Sequence, residues 1–262
     1  MEISSYVKSL CQNEEEIVFC SRIAGYFSAA EQKGFIRCSF FLNERQIFLA
    51  DRIRESLGAS GVFFGGYAGA VRQILCALPS WMSEDTLEEG ELPIVPVTFT
   101  YRRADSLSHR DFLGALMSLQ IKREMIGDIL PGEGQCVLFA HENAAALILS
   151  EISLIGRVGV RAEQGFHPDA ITPPRFEEQE ITVASLRLDA VVAALTGRGR
   201  ESAASLVRGG GAQLNYVENI PGSRQVSEGD VLSVRGYGKY RIAGLLGETR
   251  RGRMKLQVFK YS

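Results

Sequence analysis

Apolar residues recur along this chain in two rhythms, one helical and one alternating. In the first eighty residues, helical spacing predicts helices near 5–28, 43–57 and 68–78, and short apolar runs predict strands near 35–41 and 60–65. From residue 94 the order is sharper. Ile94–Tyr101, rich in Val, Thr and aromatics, reads as a strand. Ser108 then stands as the cap of a helix, with Asp111 in the first turn and Phe112, Leu113, Leu116 and Leu119 on one face. Met125–Leu130 and Gln135–Ala140 read as strands joined by the turn Pro131-Gly132-Glu133-Gly134. A helix over His141–Ser153 and a strand over Arg157–Arg161 complete a β-α-β-β-α-β order, that of a ferredoxin-like sandwich.

The C-terminal pattern differs. Ser185–Asp189 opens a helix whose Leu188, Val191, Val192 and Leu195 follow i, i+3, i+4, i+7 spacing. Gly197 and Gly199 end it, a second helix covers Arg200–Arg208, and Gly209-Gly210-Gly211 stops that one. Ala212–Tyr216 reads as a strand, and Glu228-Gly229-Asp230 as a hairpin turn before alternating strand residues. The diproline in Ile171–Arg175 fits neither a helix interior nor a central strand and marks a linker. A softer boundary lies at Pro79–Glu91. The reading is a multidomain α+β protein: a mixed α/β domain over 1–83, a ferredoxin-like domain over 84–170, a linker over 171–180, and a small domain over 181–262.

Charge sharpens this division. The net charge of −2 conceals 13 Lys and Arg against 6 Asp and Glu from Ile181 onward, and 16 against 25 before it. A balance of +7 beside −9 points to a polyanion-binding module joined to something else. No apolar run approaches a membrane span, and Glu14-Glu15-Glu16 falls where a signal peptide would be apolar. Cys11, Cys20, Cys38, Cys76 and Cys136 are odd in number and form no C-x-x-C pair. We expect reduced thiols serving as small apolar residues, and a cytoplasmic protein.

The cations have a pattern of their own. Arg198, Arg200 and Arg208 flank the second helix, and Arg235, Lys239 and Arg241 surround Gly236-Tyr237-Gly238. Arg187 is expected in a first helical turn, where the dipole disfavours a cation. Arg187, Arg200 and Arg235 have no carboxylate partner evident on their own helix faces. Such guanidinium groups match phosphate oxygens, and Tyr237 and Tyr240 are candidates for base stacking.

Arg187-Leu188-Asp189, then Arg200, Ala203, Leu206, Val207, Gly210, Leu214 and Asn215, then Gly229-Asp230 and Val234-Arg235-Gly236, resemble the S-four domain. That RNA-binding module is named after the fourth protein of the small ribosomal subunit. Gly199 replaces its usual capping Ser, and Ala212 a Val; neither touches a basic position. The resemblance and the clustering of cations together give expected RNA contacts at Arg187, Arg198, Arg200, Arg208, Asn215, Arg235, Lys239 and Arg241. Val62–Tyr67, Ser108–Met117 and Arg123–Leu130 extend it to nearly the whole chain, which looks like the YlmH family, a bacterial group often described as cell-division-associated. Ala70-Val71-Arg72 departs from the Ala-Glu-Arg expected there. Membership implies a partner that is structured rRNA or tRNA on a ribosomal particle, with no cofactor. Related small S-four proteins act on large subunits still holding peptidyl-tRNA, so rescue of stalled ribosomes is the narrower expectation.

Catalytic patterns do not accompany these signals. His109-Arg110-Asp111 resembles a kinase catalytic loop, but Leu116 stands where that loop needs Asn, and no glycine-rich loop or D-F-G is present. We read the triplet as a helix start and a candidate second RNA surface. His109, His141 and His167 lack ligand spacing, so no metal is expected. Leu186 precedes Arg187-Leu188-Asp189, where pseudouridine synthases have His, so Asp189 is read as structural. The expected function is non-catalytic RNA binding. The alternatives are an RNA-modifying enzyme with an appended S-four module and a cell-division interaction factor.

Overall fold

The computed structural model describes residues 4–87, 90, 92–167, 176–249 and 252–261. The chain divides into two units at residues 173 and 174. The first unit opens with helices α1 (Ser5–Leu10) and α2 (Glu14–Lys33). Asn13 caps α2 by accepting from the Glu16 N–H, and three glutamates occupy its first turn, where the helix dipole favours them. Then come strand β1 (Arg37–Cys38), helix α3 (Glu44–Leu57) and strands β2 (Gly61–Phe64) and β3 (Ile74–Ala77). The strands form an antiparallel sheet of order β1-β3-β2.

β3 corrects the expected helix over 68–78. Leu75 and Ala77 pack toward α2 and α3, while Ile74 and Cys76 pack into a separate cluster with Phe41, Val137 and Phe139. A strand buried on both faces reads as a continuous apolar run, which periodicity does not separate from a helix. The expectation of five reduced thiols is corrected as well. Cys38 and Cys76 face each other across β1 and β3 and are joined by a disulfide. Cys11, Cys20 and Cys136 are free, and burial pushes the Cys20 and Cys136 thiols up to about 12.

The central segment has the expected order: β4 (Ile94–Thr100), α4 (His109–Ser118), β5 (Ile126–Pro131), β6 (Gln135–His141), α5 (Glu142–Glu151), a hairpin of β7 (Leu154–Ile155) and β8 (Val158–Gly159), and β9 (Arg161–Gln164). Its antiparallel sheet runs β5-β6-β4-β9, the ferredoxin-like arrangement. The strand expected over 157–161 lies later. Gly156, at φ +60°, closes the small hairpin first, and residues 161–164 then pair with β4. The Ser108 amide and hydroxyl both donate to the Asp111 carboxylate, which locks the start of α4 and holds that carboxyl below the usual range.

β6 is buried on both faces. Cys136, Leu138 and Ala140 pack toward α4 and α5, and Val137 and Phe139 pack on Phe41, Ile74 and Cys76. The two sheets therefore stack face to face between two layers of helices. The sheet face that a solitary ferredoxin-like module leaves open is covered here by the N-terminal sheet. Gly65 and Gly66 make this contact possible. A Cβ on Gly66, whose φ is +97°, would lie 2.1 Å from a Phe139 ring carbon. With no Cβ there, Tyr67 stacks on Phe139 at 5.1 Å and its hydroxyl donates to Asp128 at 2.8 Å.

The second unit has strand β10 (Phe176–Val183), helices α6 (Leu188–Thr196) and α7 (Arg200–Arg208), and strands β11 (Ala212–Leu214), β12 (Val231–Val234), β13 (Gly238–Glu248) and β14 (Met254–Tyr261). Its five strands are antiparallel in the order β10-β14-β13-β12-β11. Residues 176–180, expected in the linker, are the first half of β10 and pair in continuous register with β14. Residues 171–175 lie outside the described residues. Asn215 and Tyr216, expected to extend β11, turn the chain instead with φ of 51° and 65°. Val183, Leu188, Val191, Val207, Leu232, Tyr240, Ile242 and Val258 build one core between sheet and helices. Among the described residues, no helix is long and apolar enough to cross a membrane.

Candidate nucleic-acid interface

The start of α6 is set by a loop from far along the chain. Leu188 N–H donates to the Arg224 carbonyl and Asp189 N–H to the Gly222 carbonyl, so two first-turn amides are satisfied by residues 222–224. Asp189 is buried beneath that loop. Arg187 is the N-cap, with extended backbone at φ −65° and ψ 141°, so its side chain reaches Asp189 two residues on. Its Nε donates to Oδ1 at 3.1 Å and its Nη2 to Oδ2 at 2.6 Å. The expectation that Arg187 lies in the first turn without a carboxylate partner is thereby corrected. The sequence rule missed this pair because i and i+2 residues do not face each other on a helix, whereas an extended cap residue obeys no helical spacing.

That pair sets a pH response. The Arg187 guanidinium holds the Asp189 carboxyl below the usual carboxylate range, against the opposing effect of burial, and Asp189 raises Arg187. A carboxyl depressed in the folded state stabilises the fold above its unfolded value, about 3.9, and loses that contribution as pH falls through its folded value. We therefore expect the second unit to lose stability below about pH 4. Asp189→Asn should show a lower unfolding midpoint at neutral pH and a flatter acid limb. Superimposable acid limbs for the two proteins would exclude the pair as their origin.

The remaining candidates fall on two adjoining surfaces. Arg198 lies in the turn between α6 and α7; its Nε donates to the Tyr237 hydroxyl at 2.8 Å and its guanidinium sits 5.5 Å from that ring. Arg200 begins α7, exposed, and close enough to Asp189 to help hold its carboxyl down. Arg208, at the far end of α7, donates to its own helix at Ser205 and belongs to neither surface as closely. Arg235 is exposed in the β12–β13 turn, where its amide donates to the Gly211 carbonyl and ties that turn to the end of α7. Gly210, Gly211, Gln213, Arg235, Tyr237 and Lys239 line the resulting open cleft, of about 520 Å³.

The second surface is the outer face of the sheet. Along β13, Tyr240 and Ile242 enter the core, so Lys239 and Arg241 project outward. The Lys239 ammonium lies 5.0 Å from the Tyr216 ring and 4.9 Å from the Tyr261 ring. Toward β10 this face is neutralised by pairs such as Lys255 with Glu180 at 2.6 Å. Arg235 and Arg241 make no side-chain hydrogen bond or ion pair among the described residues. Asn215 is held differently: its amide donates to Asp230 and its carbonyl accepts from the Val231 N–H, so it shapes the turn.

Of the two tyrosines singled out for stacking, Tyr240 is buried, with its hydroxyl donating to the Tyr237 carbonyl, and offers no ring face to a base. Tyr216 and Tyr261 lie outside the sequence-based expectation. The alternation of β14 carries a usable signal for Tyr261, two residues from Phe259 and out of phase with buried Val258. The left-handed turn that presents Tyr216 carries no comparable signal. Among the described residues, no three His, Cys, Asp or Glu side chains come together to hold a metal.

Comparison with known proteins shows what the chain resembles. Residues 88–167 match the family model described as "Putative RNA-binding domain in YlmH". The chain is 28% identical over 247 residues to the ribosome-associated protein quality control protein P2 of Bacillus subtilis (strain 168), spanning 93% of this chain and 94% of that one. It also superposes on the cell division protein YlmH from Streptococcus pneumoniae with a TM-score of 0.54 and 17% identity, over 62% of this chain and 98% of the other. The split in charge points to an RNA surface beyond residue 180, whereas the matched RNA-binding segment is the central ferredoxin-like module. With its βαββαβ core, its C-terminal basic unit and a relative aligned over nearly its whole length, this chain is similar to the YlmH family in sequence, and to the Streptococcus protein in fold.

Proposed function

We propose that this protein is a non-catalytic, cytoplasmic RNA-binding factor that docks on a ribosomal particle and grips structured rRNA or tRNA by its backbone. The observation that carries the reading is the basic rim of the second unit. Arg200, Arg235 and Arg241 are exposed without a direct carboxylate partner among the described residues, and Arg198 and Lys239 lie against tyrosine rings. Guanidinium groups held away from carboxylates keep their forks open to phosphate oxygens, and the neighbouring rings offer stacking faces. The matched central family and the name of the Bacillus relative support RNA and ribosome partners. A narrower role in rescue of stalled ribosomes accords with that same name.

Sedimentation of the full chain through a sucrose gradient with ribosomal particles tests this. The protein is expected to migrate with particles at low salt and leave them as salt rises, and crosslinked RNA sequenced from the bound fraction should come from rRNA or tRNA. A protein that stays at the top of the gradient at every salt concentration would refute the reading. Recovery of a specific modified nucleotide dependent on His109 or Asp111 would favour the enzyme alternative.

A further inference from the structure

Two cavities flank the seam between the stacked sheets of the first unit. One, of about 420 Å³, includes Arg22, Asn43, Arg72, Lys122 and Arg123 in its lining. The other, of about 430 Å³, includes Asn43, Tyr67, Arg72, His109, Arg123 and Asp128. Both lie within the size range of small-ligand sites, about 300–1,000 Å³. Arg72 and Arg123 are common to both and form part of the wall between them.

These two guanidinium groups are held side by side by main-chain carbonyls. Arg72 Nε donates to Ile126 O at 2.9 Å, and its Nη2 to Phe41 O at 3.2 Å and Arg123 O at 3.3 Å. Arg123 Nη1 donates to the same Ile126 O at 2.6 Å and to Gly127 O at 3.3 Å. Arg72 Nη1 and Arg123 Nε and Nη2 have no hydrogen bond among the described residues. The carboxylate that acts on both, Asp128, is already engaged by the Tyr67 hydroxyl and the Val71 and Arg72 amides. Burial pushes Arg72 down to about 10, the adjacent Arg123 adds to that, and Asp128 only partly offsets it. Burial lowers Arg123 as well. Arg22 and Lys122 add two exposed cations to the first cavity against one acid, Glu124, and the N-terminus of α3 arrives at Asn43. The fold thus keeps like charges together where an oxyanion would relieve them.

We propose that this Arg22–Arg72–Lys122–Arg123 cavity binds a backbone phosphate of the RNA, as a second anchor separate in sequence from the C-terminal unit. The inference rests on the RNA-binding reading above. It also accords with the stacking of the sheets: with the open face of the ferredoxin-like sheet covered, base stacking on that face is blocked, and the seam offers a cationic feature beside it. A phosphate contact positions the RNA without reading its sequence.

The test uses the full chain and a fluorescently labelled RNA hairpin, titrated at several salt concentrations, with unfolding midpoints recorded for every variant. Arg22 and Lys122 are exposed rim residues, so Arg22→Ala/Lys122→Ala should fold as wild type. It should bind roughly tenfold more weakly, with a slope of log affinity against log salt shallower by roughly 0.7–0.9 for each phosphate no longer neutralised. The same change should appear in an Arg200→Ala/Arg235→Ala background, and Arg22→Lys/Lys122→Arg should retain binding. Unchanged affinity and slope in the alanine variant, while Arg200→Ala/Arg235→Ala weakens binding, would overturn the cavity and leave the RNA-binding reading standing. Equal loss in the alanine and charge-preserving variants would also overturn it. A wild-type chain that binds neither the hairpin nor ribosomal particles would remove both.

Discussion

Asp128→Ala is expected to destabilise the first unit by about 3–5 kcal/mol, the largest effect of any single polar substitution in it. Asp128 is a buried carboxylate whose two oxygens accept from the Tyr67 hydroxyl at 2.8 Å, the Val71 amide at 2.7 Å and the Arg72 amide at 3.1 Å. Each buried donor left without an acceptor costs about 1–3 kcal/mol. The substitution also removes the charge that offsets two half-buried guanidinium groups, Arg72 and Arg123. The Tyr67 phenol, pushed up by burial and by its bond to Asp128, would lose its acceptor while still stacked on Phe139. For a unit of this size the unfolding midpoint should fall by roughly 10 °C or more. Asp128→Asn, which keeps the shape and one acceptor oxygen, should fall between the two. Calorimetry showing the alanine variant within a degree or two of wild type would mean that this carboxylate does not hold the seam.

The second large effect is on RNA affinity. The triple variant Arg200→Ala/Arg235→Ala/Arg241→Ala should lose roughly 100- to 10,000-fold in affinity at moderate salt, taking about 1–2 kcal/mol for each charge-assisted bond to phosphate. None of the three side chains enters the core, so the unfolding midpoint should hold. The salt slope should become shallower by roughly 0.7–0.9 per phosphate released, and by a similar amount on unrelated RNAs, because phosphates carry no sequence information. Arg187→Ala provides the contrast. Its guanidinium is committed to buried Asp189, so the expected outcome is reduced stability with the salt slope unchanged. A slope that shallows for Arg187→Ala but not for the triple variant would move the phosphate surface to the other side of α6.

The βαββαβ order of residues 94–164, the two helices at 188–208 and the Ser108 cap were legible in the sequence because each is a local signal. An apolar period, a capping side chain or a glycine in a left-handed turn acts within a few residues of itself. So was the concentration of cations beyond residue 181, since net charge does not depend on fold. The tertiary structure decided what local signals leave open. Residues 176–180 became strand because β14, about eighty residues later, offers a complementary edge. Residues 74–77 became strand because both of their faces found apolar partners. Arg187 found Asp189 because its backbone is extended at a cap, where helical spacing no longer governs reach. Arg72 and Arg123, 51 residues apart, share the Ile126 carbonyl only because two sheets stack, Gly65 lets its own loop close on Ala70 and Arg72, and Gly66 lets that loop lie against Phe139. Periodicity reports which face of an element is apolar. Which other face covers it is settled by competition among all the faces of the chain, and that competition placed the cationic seam.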